Sequence, residues 1–411
     1  MKKYVVVMLV LLFAVSAIYA TDKRVQALGN NAYMLPGDDA SIQLFPQRIN
    51  DMNLVYFEDI HLANPNYLLV VGDPGSTWGF YGGNNEKNDY FNILRSLGSN
   101  SAVRVGLRLG IDSHTEIDDD KESSPTTSDE NITKTDVMLD FEFGTDMGDT
   151  EFSTYFTFGM TPATINFMGY DGKFTGTYDD PINGNTTADG KASMLSFALQ
   201  TKARTNKGLF FFDNSYAVFS LSYQGQSSEL TDPTNVKVED ESSGGFSIYS
   251  TYRLFNNQNL ADDKIFLVYG LGGSMNFYTA KDENLLSGSK TEDSDLGIGI
   301  VSPIFNLGLE AKLKYTTLRF GMERMISTLA YSSSTSIYDD GVGTTDNEDK
   351  LSDFILGGNG VYNYNAGMGF NYGNLQLDIL VNNNFWIMGP QMIFDANFGT
   401  LGVCADLVYT F

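Results

Sequence analysis

Charged side chains recur at alternate positions in several parts of this sequence, and their signs are mixed. These residues are Arg104, Arg108, Asp136, Asp140, Glu142, Lys202, Glu310, Lys312, Lys314, Arg319, Asp378 and Asp406. Groups spaced in this way can do two kinds of chemistry. They can neutralise one another as ion pairs, or they can form a charged constriction that selects among solutes.

Residue types that usually carry catalysis or bind metals are scarce. The chain has 2 histidines, His61 and His114, and 1 cysteine, Cys404. They lie far apart in the sequence, and neither a zinc site nor a Ser-His-Asp triad matches their spacing. We therefore expect neither an enzyme nor a cofactor. The acidic run from Asp118 to Asp120 could bind divalent cations, but a solvated loop explains it better.

Charge and cysteine content narrow the possible partners. The formal net charge is −25, and so acidic a chain would repel phosphate, which excludes nucleic acid as a partner. A single cysteine cannot form an internal disulfide, so packing and hydrogen bonds must hold the fold together. The chain contains 41 glycines, and aromatic residues make up 13% of it; this composition is typical of an all-β protein.

Apolar and charged residues alternate with a period of two, and this alternation predicts the elements that position the charged residues. In 102–111 (AVRVGLRLGI), 135–144 (TDVMLDFEFG) and 307–316 (LGLEAKLKYT), apolar residues occupy one face and mostly charged residues or glycines the other. This alternation indicates β-strands whose two faces meet different surroundings. A soluble sandwich would leave those charges in a dry interior, whereas a barrel wall turns them towards a wet lumen and the apolar face towards lipid. Strands 102–111 and 135–145 should be neighbours, with Arg104 and Arg108 near the acidic residues of the second strand.

The connections between strands alternate in length. Short ones are predicted at 146–150, 206–213, 256–263, 316–317 and 373–374, and long polar ones at 112–134, 161–191, 225–244, 279–295 and 332–352. Barrels of the outer membrane have short periplasmic turns and long extracellular loops in this order. A tight turn at 373–374 would pair Tyr372 with Leu375, and one at 316–317 would pair Tyr315 with Leu318.

Two segments fall outside this pattern. Residues 1–20 carry Lys2 and Lys3 before an apolar run and end at Ala20, which predicts a secretory signal peptide cleaved near Ala20. Cleavage after Ala17, or a retained anchor, is the alternative. Residues 83–100 match no strand pattern and are expected to form a short plug or rim helix, or else an ordered loop.

The last predicted strand, 401–411, alternates and ends in an aromatic residue. Leu407, Tyr409 and Phe411 share one face, and this pattern resembles the terminal insertion signal of bacterial outer-membrane β-barrel proteins. The resemblance implies that the barrel-assembly machinery recognises these residues. It also implies contact with outer-membrane lipid and lipopolysaccharide.

The N-terminal part resembles the start of FadL-type and PorV-like barrels. The residues that carry the resemblance are Ala27-Leu28-Gly29 and the stretch from Asp38 to Ile42. Those families usually have Asn-Pro-Ala after this segment, where this chain has Leu44 to Gln47, so fatty-acid transport does not follow from the resemblance.

These observations predict a transmembrane antiparallel up-and-down β-barrel of about fourteen strands, with twelve or sixteen as alternatives. Residues 1–20 would be the signal peptide, 21–52 an N-terminal periplasmic or plug segment, and 53–411 the barrel. The first hypothesis for its function is an outer-membrane porin or transporter that passes small or hydrophobic solutes. A structural or secretion-complex barrel is the second, and a soluble exported β protein is the third.

Overall fold

The computed structural model describes residues 22–29, 32–35, 40–58, 66–85, 88–117, 129–170, 186–231, 237–261, 264–286, 289–339, 347–357, 361–381 and 403–411. Within these ranges, helices are confined to the N-terminal part: α1 (Asp22–Ala27), α2 (Ser41–Leu44) and the 3-10 turns Ala32–Met34 and Pro46–Asp51. No helix in these ranges is long and apolar enough to cross a membrane.

All remaining elements in these ranges are strands. They are β1 (Leu54–Glu58), β2 (Asn66–Val71), β3 (Trp78–Asn85), β4 (Asn88–Ser96), β5 (Ser101–Ile117), β6 (Asp129–Met147), β7 (Thr150–Tyr170), β8 (Thr186–Thr205), β9 (Asn214–Thr231), β10 (Lys237–Leu260), β11 (Ile265–Leu286), β12 (Ser289–Lys312), β13 (Thr316–Met325), β14 (Thr328–Asp339), β15 (Asn347–Gly357), β16 (Val361–Tyr372), β17 (Leu375–Val381) and β18 (Val403–Thr410).

The strands form one closed ring. Each pairs antiparallel with its neighbours, and β18 pairs with β1, where Leu54 lies opposite Thr410. Segments β13 and β14 lie in line, because both pair with β12, and β15 and β16 continue one another in the same way. When each of these two in-line pairs is counted as one strand, the ring contains 16 strands. The prediction of an all-β transmembrane barrel is confirmed, with the largest of the three strand numbers.

The outer surface of the ring is apolar. Large apolar side chains stay exposed on one face of strand after strand, among them Val105, Leu107, Leu109, Leu139, Phe141, Phe156, Phe158, Phe219, Phe246, Leu309, Phe320 and Phe370. On the opposite face of the same strands, Glu142 and Asp378 are 0% exposed and Glu310 is 1% exposed. A continuous apolar belt around a closed ring suits lipid, because neighbouring strands satisfy each other's backbone hydrogen-bonding groups.

The wall extends well beyond this belt at one end. β10 and β12 contain 24 residues each, although about 9–11 residues suffice to cross a bilayer. In the extension the outward side chains are charged: Lys281 lies 2.5 Å from Glu283 and 3.0 Å from Glu292. These strands therefore continue past the lipid into water.

Three expectations about connections were wrong. The described part of 83–100 is mostly strand: the end of β3 and all of β4 lie there, and Phe80 packs against Phe91 with 6.4 Å between ring centroids. The turn near Thr316 spans residues 313–315, so Ala311 and not Tyr315 faces Leu318. The predicted long loops are in part strand; β5, for example, runs to Ile117 and β6 starts at Asp129.

Other expectations about pairing are confirmed. Strands β5 and β6 are neighbours, and Arg104 stands directly opposite Glu142. The Gly373-Asn374 turn pairs Tyr372 with Leu375. In both cases the apolar alternation of the two strands agrees with only one register.

Candidate functional site: the N-terminal segment inside the ring

The described residues of the N-terminal segment, 22–29, 32–35 and 40–51, touch strands on all sides of the ring. Helix α1 contacts β13, β16, β17 and β18, the turn Ala32–Met34 contacts β10, and the turn Pro46–Asp51 contacts β4, β5 and β6. A short peptide can contact so many strands of the ring only from within it. We call these described residues the inner segment. It lies at the end of the barrel where the short turns are.

A buried ion cluster joins α1 to the wall. The Arg24 guanidinium donates from Nε to Oε2 of Glu310 at 2.6 Å and from Nη2 to Oε1 at 3.2 Å. Arg319 donates to the same carboxylate at 2.8 Å and also to Asp378. Glu310 and Asp378 are almost completely buried. Burying these carboxylates is tolerable because each one accepts charged hydrogen bonds.

Asp378 lies directly opposite Asp406 on the neighbouring strand. Two like charges in this position repel each other. Asp406 accepts hydrogen bonds from the backbone N–H of Lys23 at 3.0 Å and from the Tyr56 hydroxyl at 2.9 Å. The inner segment thus stabilises a pair of wall carboxylates that would otherwise destabilise the sheet.

A second ion cluster holds the other end of the inner segment. The Glu151 carboxylate bonds to Arg48 of the segment and to Arg204 of the wall. Arg204 also donates to the backbone carbonyl of Tyr33 at 3.3 Å. Burial disfavours the charge on Arg48, but the adjacent Glu151 and Asp51 outweigh this effect and raise the pKa of Arg48. This guanidinium therefore stays charged at any physiological pH.

The third cluster centres on Glu142. Its carboxylate lies 2.7 Å from the Arg104 guanidinium and 3.3 Å from the Lys202 ammonium. Lys202 also donates to the backbone carbonyl of Leu44 at 3.5 Å. The Arg104 guanidinium also lies 5.4 Å from the centroid of the Tyr155 ring. The cluster therefore links wall strands to each other and to the segment.

Two wall positions that face the inner segment are glycines, and they leave room for its backbone. A Cβ added at Gly321 would lie 2.1 Å from the backbone nitrogen of Gly29 and 2.2 Å from the carbonyl carbon of Leu28. Gly308 stands directly opposite Gly321 on β12, and a Cβ there would lie 2.8 Å from the carbonyl oxygen of Leu28. Only glycine lets the end of α1 approach the sheet so closely.

A cavity of about 330 Å³ lies between the inner segment and the wall. Tyr33 and Leu44 form its lining on the segment side, and Lys202, Arg253 and Glu323 are among its wall residues. The Tyr33 ring stacks on Tyr216 with 4.5 Å between centroids, and its burial raises the pKa of the Tyr33 hydroxyl. The cavity thus combines aromatic surface with charges of both signs.

Between the inner segment and the end of the barrel opposite the short turns, the lumen wall is polar. Side chains alternate along each strand, so residues on the face of Lys202, Tyr216 and Arg253 also point inward. They include Ala192, Met194, Ser196, Gln200, Ser220, Ser222, Gln224, Gln226, Ser243, Ser247 and Thr251. A further cavity of about 650 Å³ is lined by several of them together with Glu241, Asp282 and Asp293. Asp282 and Asp293 stand directly opposite each other, which makes this part of the lumen acidic.

The structure places the predicted charged residues in different surroundings. Arg104, Glu142, Lys202, Glu310, Arg319, Asp378 and Asp406 join the three clusters. Asp140 accepts a hydrogen bond from the Tyr155 hydroxyl at 2.6 Å. In the ladder between β5 and β6, Arg108 lies opposite Met138 and Asp136 lies opposite Gly110. Lys312 ends β12, whereas Lys314 lies exposed in the following turn, and its placement on a wall strand was wrong.

The residues of the inner segment that hold it in place were not predicted from the sequence. Arg24 and Arg48 belong to a stretch without strand periodicity, and Glu151 and Arg204 lie at the ends of strands. A usable signal was the shared face of Arg204 and Lys202 in β8. On the outer face of β18, the rings of Tyr409 and Phe411 stack at 6.4 Å, and Leu407 pairs with Phe57.

The described residues were also compared with the requirements of a metal site. Among the residues that the structure describes, no group of three or more histidine, cysteine or acidic side chains could hold a metal ion. His114 lies in β5. His61 and the run from Asp118 to Asp120 lie outside the described residues.

Comparisons with known proteins add little to the description of the ring. No protein family and no curated protein matches the sequence. The ferric yersiniabactin uptake receptor FyuA from Yersinia pestis is 8% identical with a TM-score of 0.35, over 88% of this chain and 80% of that chain. The ferric preacinetobactin receptor BauA from Acinetobacter baumannii is 9% identical with a TM-score of 0.31, over 80% and 68%.

The copper transporter OprC is 8% identical with a TM-score of 0.31, over 87% of this chain and 80% of that chain. Scores this low say nothing about what the present chain binds. The closed ring and its apolar belt identify a membrane barrel without them.

Proposed function

We propose that this chain is an outer-membrane transport barrel whose inner segment closes the lumen at the periplasmic end. The observation that carries the proposal is the position of the inner segment, held inside the ring by ion clusters on opposite walls. A solute that enters from the open end meets this segment before it can leave. Passage then requires the segment to move, at least in part.

The location in the outer membrane rests on the barrel type. Closed rings of antiparallel strands with an apolar outer belt are the form in which β-sheets span that membrane. The signal-peptide pattern of residues 1–20 supports export. Short turns then face the periplasm and the long strand extensions face outward, which puts the inner segment on the periplasmic side.

The lumen wall favours small polar solutes over hydrophobic ones. Serine, threonine and glutamine line it above the inner segment, and the acidic pair Asp282 and Asp293 attracts cations. The cavity beside Tyr33 is large enough for a small molecule, since ligand pockets start at about 300 Å³. We propose this cavity as the last binding site before the closed end.

A structural or secretion-complex barrel is the second candidate. The specific observation in its favour is the same set of buried ion pairs, because a segment anchored at Glu310 and Glu151 could close the ring permanently. The PorV-like resemblance implies this structural role. Electrical recording separates the two.

The test is conductance in planar lipid bilayers, with the purified wild-type chain compared with Arg24→Ala. If the transport proposal holds, the wild type is mostly closed with brief openings, and the variant shows long, large openings. Lys207→Ala is the control, because Lys207 pairs with Asp149 in exposed turns, 3.4 Å apart and away from the inner segment. Silence of both the wild type and Arg24→Ala would overturn transport and leave the structural role. Steady conductance of the wild type would overturn closure by the segment.

A further inference from the structure

The turn between β8 and β9, residues 206–213, folds back over the outside of the barrel. Tyr216 and Phe255 contact Tyr33 within the ring, so the adjacent Ser215 and Asn256 point outward. Both are nevertheless almost completely buried. The turn covers them: Ser215 donates its hydroxyl hydrogen to the carbonyl of Lys207 at 2.9 Å, and the Asn256 amide donates to the carbonyl of Phe211 at 3.0 Å.

Asn256 fixes the turn on the wall at several points. Its side-chain oxygen accepts a hydrogen bond from the backbone N–H of Asp213 at 2.6 Å, and its amide nitrogen lies 2.9 Å from the Tyr269 hydroxyl. Tyr269 is the ladder partner of Asn256 on β11. The Phe212 ring is buried 6.2 Å from the Tyr269 ring. The turn is therefore a defined structure that reaches across three wall strands.

The outer side of this turn is apolar and uncovered. Leu209 is 55% exposed, Phe210 is 93% exposed and Phe211 is 72% exposed. Phe210 has φ of 61°, a left-handed conformation that is unfavourable for a bulky side chain. The chain thus holds a strained aromatic residue in the most exposed position. In water, both the strained backbone and the exposed apolar surface would be unfavourable, and neither would be compensated by a contact.

We propose that residues 209–211 insert into the lipid leaflet at the short-turn end and hold the barrel at a fixed depth. The supporting observation is continuity with the apolar belt, since the turn lies on the same outer face as Phe219 and Tyr252 and on the strands that carry them. Aromatic side chains are favoured at this membrane interface. The turn also shields Asn256 and Ser215, two polar side chains that would otherwise face lipid. This inference does not depend on transport.

The test uses tryptophan fluorescence with lipids whose acyl chains are brominated, since bromine quenches tryptophan on contact. Phe210→Trp is refolded into phosphatidylcholine vesicles with and without bromine, and the spectrum of the parent chain with its 2 tryptophans is subtracted. The added emission should be blue-shifted and strongly quenched by the brominated lipid. Asp149→Trp, in the neighbouring exposed turn, is the control and should emit at long wavelength with little quenching.

Phe211→Trp provides a second probe with an ordinary backbone conformation, in case Phe210→Trp does not fold. Equal and weak quenching at 210, 211 and 149 would overturn the proposal. A blue shift that depends on protein concentration and is indifferent to bromine would also overturn it, because a second copy of the chain would then cover the turn.

Discussion

Arg24 and Glu310 are joined by two hydrogen bonds, of 2.6 and 3.2 Å, although 286 positions separate them in the sequence. One belongs to the first helix of the inner segment and the other to the wall strand β12. The pair is buried, and Arg319 shares the same carboxylate. This contact fastens a peptide across the lumen, so the state of the barrel depends on it.

Replacing Arg24 with alanine should loosen the inner segment. Removing one partner from a buried ion pair costs about 3–5 kcal/mol, because the other charge is left poorly compensated. Arg319 remains on Glu310, so the ring itself should still assemble. The expected result is an increase in open time in planar bilayers.

The same loosening should be visible without electrical recording. Protease added from the short-turn side should cut the inner segment of Arg24→Ala faster than that of the wild type. Lys207→Ala breaks an exposed ion pair and should behave like the wild type. Unchanged cleavage in Arg24→Ala would show that the ion pair does not hold the segment.

Gly321→Val should displace the end of α1 from the wall. The new side chain would collide with the backbone at Leu28 and Gly29, which cannot move aside as a flexible side chain can. Overpacking of this kind typically costs about 1–3 kcal/mol. Single-channel recording should show larger or longer openings. Gly299→Val on β12 is the matched control, since a Cβ there meets nothing within 4 Å, and a similar effect of both variants would contradict the docking.

Leu199→Arg and Gln200→Arg should differ although the positions are adjacent. Leu199 is exposed on the outer belt, whereas Gln200 lines the cavity inside the ring. Arginine facing lipid near mid-depth costs about 2–4 kcal/mol, whereas arginine facing a wet lumen costs little. Heat-modifiable gel mobility after refolding into vesicles should show reduced assembly of the first variant only. Equal yields would mean that the two faces are assigned wrongly.

Asp282→Asn combined with Asp293→Asn should lower the preference for cations. These carboxylates face each other inside the lumen, in the cavity that Glu241 also lines. Their loss removes negative potential along the path of a solute. The reversal potential in a salt gradient, measured in the Arg24→Ala background, should move towards zero. Lys281→Gln with Glu283→Gln alters charges on strand β11 without a net change and serves as the control.

Much of the wall could be predicted from local pattern. The alternation in 102–111 and 135–144 identified two neighbouring strands, and the Gly373-Asn374 turn was placed in its register, because side chains in a strand point to opposite faces with a period of two. The end of β3 and all of β4 were missed because Gly83 and the two asparagines at 84 and 85 hide that period. The turn at 313–315 was misplaced because Thr316 and Thr317 have strand propensity and belong to β13.

The residues of the sequence determined the barrel: alternating strands, an apolar face and a charged face are local properties that each stretch carries by itself. Only the tertiary structure decided which charges meet. Arg24 finds Glu310, and Arg48 finds Glu151, because closure of the ring brings distant strands around one lumen and the inner segment lies across it. No period in the sequence records such contacts, since their partners lie on elements that pack together only after the ring has closed.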